Sequence, residues 1–131
     1  MLRLAAPARQ ALEAHAAKGY PSEVCGILLG RGEQISEAQP AANLNTERAH
    51  DRYQLDPQDQ LRIEKDARAR GLEVLGYYHS HPDHPAQPSA TDLELSWEGV
   101  HYLIIAVAGA QVQALRAWRR LGQAFEEVPL A

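Results

Sequence analysis

The chain has a single cysteine, Cys25, in 131 residues, so no intramolecular disulfide can form and a reducing compartment is expected. It also has no long hydrophobic run. The longest, Tyr102 to Ala108, is far too short to span a bilayer. Arg3, Arg9, Glu13 and Lys18 interrupt residues 1–20, so no signal peptide is expected there, and the expected location is the cytoplasm. Excess positive charge is missing as well: 13 Lys and Arg stand against 17 Asp and Glu, a net charge of −4 with histidines neutral. That balance excludes a strongly basic nucleic-acid surface and is too mild to call for a basic partner. Repeats, low-complexity tracts and linkers are absent, and the length suits one domain over residues 1–131 with one real core.

What is present is an ordinary globular composition, 45% apolar and 23% charged, which argues against disorder. Leu4, Ala8, Leu12 and His15 recur at helical spacing over residues 3–18, with Gly19 as a stop. Val24 to Gly30 reads as a buried strand, and Gly32-Glu33 turns the chain into a second strand reaching about Ala42. Asn43 to His50 reads as a surface loop, and Tyr53 to Leu55 as a short strand. Asp56-Pro57 is a helix-start signature, and the helix should run to about Arg70 with a thin apolar stripe of Leu61, Ile63 and Ala67. Glu73–Ser80, His101–Ala108, Gln111–Leu121 and Ala124–Val128 read as strands, with Gly109-Ala110 as a tight connection and a third helix after Ser89. The order predicts an α+β domain with a curved, mainly antiparallel sheet flanked by three helices.

The chemistry concentrates in Gly76 to Pro82. Residues two apart on a strand share a face, so His79 and His81 present two imidazoles to one point. Zinc favours such nitrogen ligands, and catalytic zinc usually has three protein ligands with one open position. Asp92 is the natural third ligand, on the first turn of the helix after the loop Asp83 to Pro88. Pro82, Pro85 and Pro88 stiffen that connection. Ser89-Ala90-Thr91-Asp92 also reads as a capping-box variant, which needs no chemistry at all. The two roles are compatible, because a capped helix start is a rigid place to hold a ligand.

His79-Ser80-His81-Pro82, six residues, then Ser89-Ala90-Thr91-Asp92 resembles the JAMM motif of the MPN/Mov34 metallopeptidases. Pro21-Ser22-Glu23-Val24-Cys25-Gly26-Ile27-Leu28-Leu29-Gly30 is similar to that family's upstream glutamate segment, and Arg52 to Pro57 to a segment of its short bacterial members. The resemblance covers nearly the whole chain and implies an MPN/JAB-like domain of the compact prokaryotic type. It implies that His79, His81 and Asp92 hold one zinc ion. By the same resemblance Glu23 acts as general base and acid on a water molecule, and Ser89 donates a hydrogen bond to the oxyanion. The implied reaction is hydrolysis of an amide or isopeptide after the C-terminal glycine of a ubiquitin-like or sulfur-carrier β-grasp protein, without an acyl-enzyme.

Other readings compete. A DNA-repair-associated module like the RadC relatives shares the histidine motif, but the acidic balance and the lack of a DNA-binding segment oppose it. Cys25 could be a nucleophile, yet it sits in an apolar strand with no local stabilisation of a thiolate. His15 reads as a packing residue, His50 as a loop residue and His101 as a strand start, whereas His84, in the active-site loop, is placed to touch substrate or an additional metal. Trp97 and Trp118 read as core or partly buried aromatics. An exposed sheet edge or the N-terminal helix could support a homodimer.

Overall fold

The computed structural model describes residues 1–131. Its elements are β1 (Arg3–Leu4), α1 (Ala6–Gly19), β2 (Cys25–Arg31), β3 (Gln34–Ala41), α2 (Pro57–Ala69), β4 (Glu73–Pro82), α3 (Ala90–Leu95), β5 (His101–Ala108), β6 (Gln111–Leu121) and β7 (Ala124–Val128). The strands form one seven-stranded sheet in the order β1-β3-β2-β4-β5-β6-β7. Four of its pairings are antiparallel; β1 with β3 and β4 with β5 are parallel. The expected α+β class and three helices are found, in a sheet more mixed than the sequence pattern alone indicates. No helix is long and apolar enough to cross a membrane.

Strand β2 explains how the two faces are covered. Every residue from Cys25 to Gly30 is buried, as the continuous apolar run requires for a central strand covered on both sides. On one face Leu28 joins Ile35, Tyr78, Leu103 and Ile105 against the α1 stripe Ala8, Leu12 and Ala16. On the other, Ile27 and Leu29 pack against Ile63 and Ala67 of α2. Helix α2 starts as its sequence dictates, with the Asp56 carboxylate accepting from the Gln58 N–H and proline in the first turn. The β5–β6 turn puts both Gly109 and Ala110 at positive φ, 55° and 66°, as a two-residue hairpin of the primed kind demands.

Four expectations need correction. The N-terminal helix begins at Ala6, because Arg3 and Leu4 instead pair in parallel with Gln34 and Ile35; Pro7 then suits the first helical turn. Tyr53 to Leu55 is not a strand: its one ladder contact is a bridge between Leu55 and Asn43. Leu61 is exposed, since only Ile63 and Ala67 of the thin α2 stripe reach the sheet. Trp97 is 69% exposed, because six-residue α3 buries none of its residues and carries the segment outward.

Gly26 marks the tightest point of the frame. A Cβ there would lie 2.2 Å from the Tyr78 ring and 2.5 Å from the Gln39 carbonyl oxygen. Gly26→Ala is therefore expected to destabilise the protein by roughly 1–3 kcal/mol, the range for overpacked cores. A lowered urea midpoint with unchanged m checks this; an unchanged midpoint would mean that the strand has slack.

Candidate metal centre

Strand β4 delivers the two histidines and its neighbours fix their height. Its register sets Cys25 beside His79 on β2, and Ile104 beside His79 on β5. Just beyond the ladder, the Ser80 N–H donates to the Val24 carbonyl at 3.0 Å and the Val24 N–H donates to Ser80 Oγ at 2.9 Å. Continuing that antiparallel register by one more residue brings Glu23 opposite His81. On the reverse face, the Tyr78 hydroxyl pairs with His15 Nδ1 at 2.7 Å, so His15 is the packing histidine expected.

Asp92 arrives from the opposite side through the start of α3. Ser89 is the N-cap: its Oγ accepts from the Asp92 N–H at 3.0 Å, while its own N–H donates to Asp92 Oδ2 at 2.9 Å. The capping box is complete, and the same backbone bond orients the carboxylate oxygen that faces the histidines. His79 Nε2 and His81 Nε2 are 3.1 Å apart; Asp92 Oδ2 lies 3.2 Å from the first and 3.0 Å from the second. The three side chains form the chain's compact group of metal-ligating atoms.

The donor set fits a tetrahedral cation. Metal–ligand bonds of about 2.0–2.1 Å imply ligand–ligand edges of roughly 3.3–3.4 Å, close to the three observed separations. His81 Nδ1 sits 2.8 Å from the Pro85 carbonyl, which requires Nδ1–H and leaves Nε2 as a lone pair in the neutral ring. Burial lowers the pKa of His79, favouring the neutral ligand form. Burial also works against charge on His81, but Asp92, the Pro85 carbonyl and Glu23 outweigh it and raise its pKa. The Asp92 carboxyl is likewise opposed by burial, yet hydrogen bonding to both histidines holds it well below the usual carboxylate range.

Glu23 is buried beside this triangle, and its Oε1 has no hydrogen-bond partner within the protein. It lines a polar pocket of about 370 Å³ together with His81, Ser89, His84, Asp51 and Arg52. Ser89 is exposed at the rim. Its oxygen already accepts the Asp92 N–H, so its hydroxyl proton is free to point into the pocket. His84 lines the same pocket but does not join the three-ligand group. Cys25 is fully buried, and burial pushes its thiol up to about 12, which removes it as a thiolate nucleophile.

Sequence reasoning missed two residues at this site. Asn43 donates from Nδ2 to the Glu23 and Arg52 carbonyls, both at 3.1 Å, and accepts at Oδ1 from the Asn45 and Gln54 N–H groups, both at 2.9 Å. Tyr53, read as a strand residue, stacks on His79 with ring centroids 4.6 Å apart. An asparagine in a polar loop carries no pattern that announces four backbone partners. The resemblance covering Arg52 to Pro57 marked the segment without giving it a task.

Residues 5–121 match the prokaryotic homologs of the JAB domain, and the chain belongs to that family. It is similar to the desampylase of Haloferax volcanii, 36% identical over 137 aligned residues that cover 99% of this chain and 95% of that one. It is also similar to the CysO-cysteine peptidase of Mycobacterium tuberculosis, at 31% identity over 121 residues, covering 92% and 83% of the two chains. The fold matches the solution structure of a protein from Desulfitobacterium hafniense with a TM-score of 0.88 at 31% identity, covering 100% of this chain and 92% of that one. The JAMM-type family and fold class expected from the motifs are thus the ones found.

Burial pushes the Glu23 carboxyl from 4.5 up to about 8, with His81 opposing and Asp92 and Asp51 reinforcing the rise. Between those two values the unfolded chain releases this proton while the native metal-free protein keeps it, so stability falls as pH rises through the window. Below it, Glu23 is neutral in both states and the proton linkage contributes nothing. In metal-free protein, Glu23→Gln should therefore raise stability by roughly 2–4 kcal/mol at pH 8 and change it little at pH 4. Urea titrations at the two pH values test this; an equal effect at both would show that proton linkage is not the cause.

Proposed function

We propose that this protein is a zinc-dependent peptidase that hydrolyses the amide or isopeptide bond after the C-terminal glycine of a ubiquitin-like or sulfur-carrier protein. One observation carries the reading: two imidazole nitrogens and a carboxylate oxygen converge at 3.0–3.2 Å beside a buried carboxylate, Glu23. His79, His81 and Asp92 would hold the zinc ion. Zinc in such a site supplies Lewis acidity, polarising a carbonyl and acidifying water toward neutral pH.

The remaining work falls to the chain. Glu23 takes a proton from the attacking water as the new C–O bond forms and returns it to the departing amine as the C–N bond breaks. A carboxyl buried in a polar pocket beside the ligand triangle is placed for both halves of that task. The Ser89 hydroxyl donates to the carbonyl oxygen as negative charge develops there. A carrier's glycine tail fits because it adds no side chain to a site already walled by Pro85, Pro88 and Arg52.

A second groove of about 470 Å³ shares Arg52 with the polar pocket; Tyr53, Leu55, Tyr77, Leu95, Trp97 and Tyr102 give it an apolar side, and Asn45, Gln54 and Gln60 a polar one. It suits the apolar part of a tail whose end lies at Glu23. Two named relatives support a peptidase reading, one being called a desampylase and the other a CysO-cysteine peptidase. The RadC-like alternative has no comparable support. We further propose a homodimer in the cytoplasm, with His84 at the polar pocket facing substrate or an additional metal.

The test is to incubate purified protein and zinc with a panel of β-grasp proteins extended or conjugated beyond Gly-Gly and to read intact masses. Loss of mass corresponding to cleavage after the terminal glycine is expected, abolished by a chelator and untouched by a thiol alkylating agent. Zinc-loaded protein that cuts none of the panel, yet binds duplex DNA, would reverse the reading. Glu23→Gln should keep zinc and lose about 10²–10⁴-fold in turnover, whereas His81→Ala should lose the metal itself. Trp97→Ala should raise KM several-fold with kcat within about twofold, since uniform binding alone is removed; an equal loss in kcat would place Trp97 elsewhere in the mechanism.

A further inference from the structure

The two histidine ligands are held by different physics. A metal-ligating histidine usually donates its other ring N–H to a carboxylate, a carbonyl or water, which fixes both tautomer and ring plane. His81 obeys this through the Pro85 carbonyl. His79 has no such partner within the protein: its Nδ1 is buried and no side chain or backbone group bonds it. Its ring is nonetheless enclosed, with fully buried Cys25 and Ile104 beside it in the sheet. Tyr53 covers it, the two rings 23° from parallel.

Tyr53 is itself unusually well held for a residue outside any helix or strand. Asn43 bonds the carbonyl of the residue before it and the N–H of the residue after it. The same Asn43 side chain bonds the Glu23 carbonyl, so the strap over His79 and the backbone of Glu23 share one anchor. Leu55, two residues on, adds a bridge back to Asn43.

We propose that Tyr53 is a positioning residue for the metal ligand His79. Its ring, set by Asn43, fixes the imidazole plane by stacking, as the Pro85 carbonyl fixes His81 by a hydrogen bond. The inference rests on the zinc-site reading above. It makes the tyrosine ring essential and its hydroxyl dispensable.

The experiment measures zinc affinity by chelator competition for the native sequence, Tyr53→Phe and Tyr53→Leu, together with visible spectra of the cobalt(II)-substituted proteins. Circular dichroism of the metal-free forms accompanies it. Tyr53→Phe should bind zinc within about twofold of the native sequence and keep its cobalt spectrum. Tyr53→Leu should bind about 10–100-fold more weakly, the range for losing a ligand's support, with a shifted spectrum at saturating cobalt. Should Tyr53→Leu fail to fold, Asn43→Ala, which loosens the strap and keeps the ring, is expected to weaken zinc binding in the same direction. Native affinity and spectrum in Tyr53→Leu (or, where that variant does not fold, in Asn43→Ala) would overturn the proposal, as would an equal loss in Tyr53→Phe. A native protein that binds no zinc would instead overturn the reading of the site itself.

Discussion

Three lone-pair donors pointed at one another across 3.0–3.2 Å are the constraint on which the rest of this structure depends. With no proton on either Nε2, two imidazole nitrogens and a carboxylate oxygen repel, and removing them from water adds a desolvation cost. Only a proton or a cation between them makes the arrangement favourable. The frame must therefore bring them together with rigid parts, and a cation bound at the centre would offset the cost and tie metal affinity to folding.

The rigid parts are visible on both sides. Strand β4 is paired with β2 from Glu73 to His79 and with β5 from Gly76 to Pro82, so His79 is held by two ladders and His81 by the β5 ladder. Behind it, the Tyr78 hydroxyl reaches His15 on α1, and the Tyr78 ring fills the space that only glycine at position 26 leaves open. In front, the Ser89–Asp92 capping box fixes the start of α3, and the Arg120 guanidinium donates to the Leu93 and Ser96 carbonyls at its far end. Six residues of exposed helix would fray alone. Held at both ends, they can carry a ligand.

The parts of this site that were legible in the sequence are those with local periodicity. His79 and His81 share a face because strand side chains alternate, and Ser89 and Asp92 are three apart because a capped first turn requires it. Glu23 was different: by periodicity it is a glutamate opening a strand, and only the resemblance joined it to residues more than fifty positions away. The β2–β4 register supplies the physical reason, bringing positions 23 and 81 side by side. Asn43 and Tyr53 were illegible because their tasks exist only in three dimensions. Arg3 and Leu4 were misassigned for a related reason, since strand pairing with β3 overrode a helical pattern that Leu4 happened to complete.

Glu23 shows what this frame is organised to do. A carboxyl whose proton affinity is raised to about 8 by burial weakens the metal-free fold at neutral pH, and no protein group bonds its Oε1 in return. Packing offers no account of it: an apolar residue would fill the volume without that cost. A nearby cation changes the balance, because positive charge favours the carboxylate and lowers its proton affinity. Binding of metal would then move Glu23 toward the range where it can both accept a proton from water and release it to an amine. On the function proposed above, the cost borne by the metal-free protein and the reactivity of the loaded one would have a single origin, the exclusion of water around a carboxylate held beside the ligand triangle.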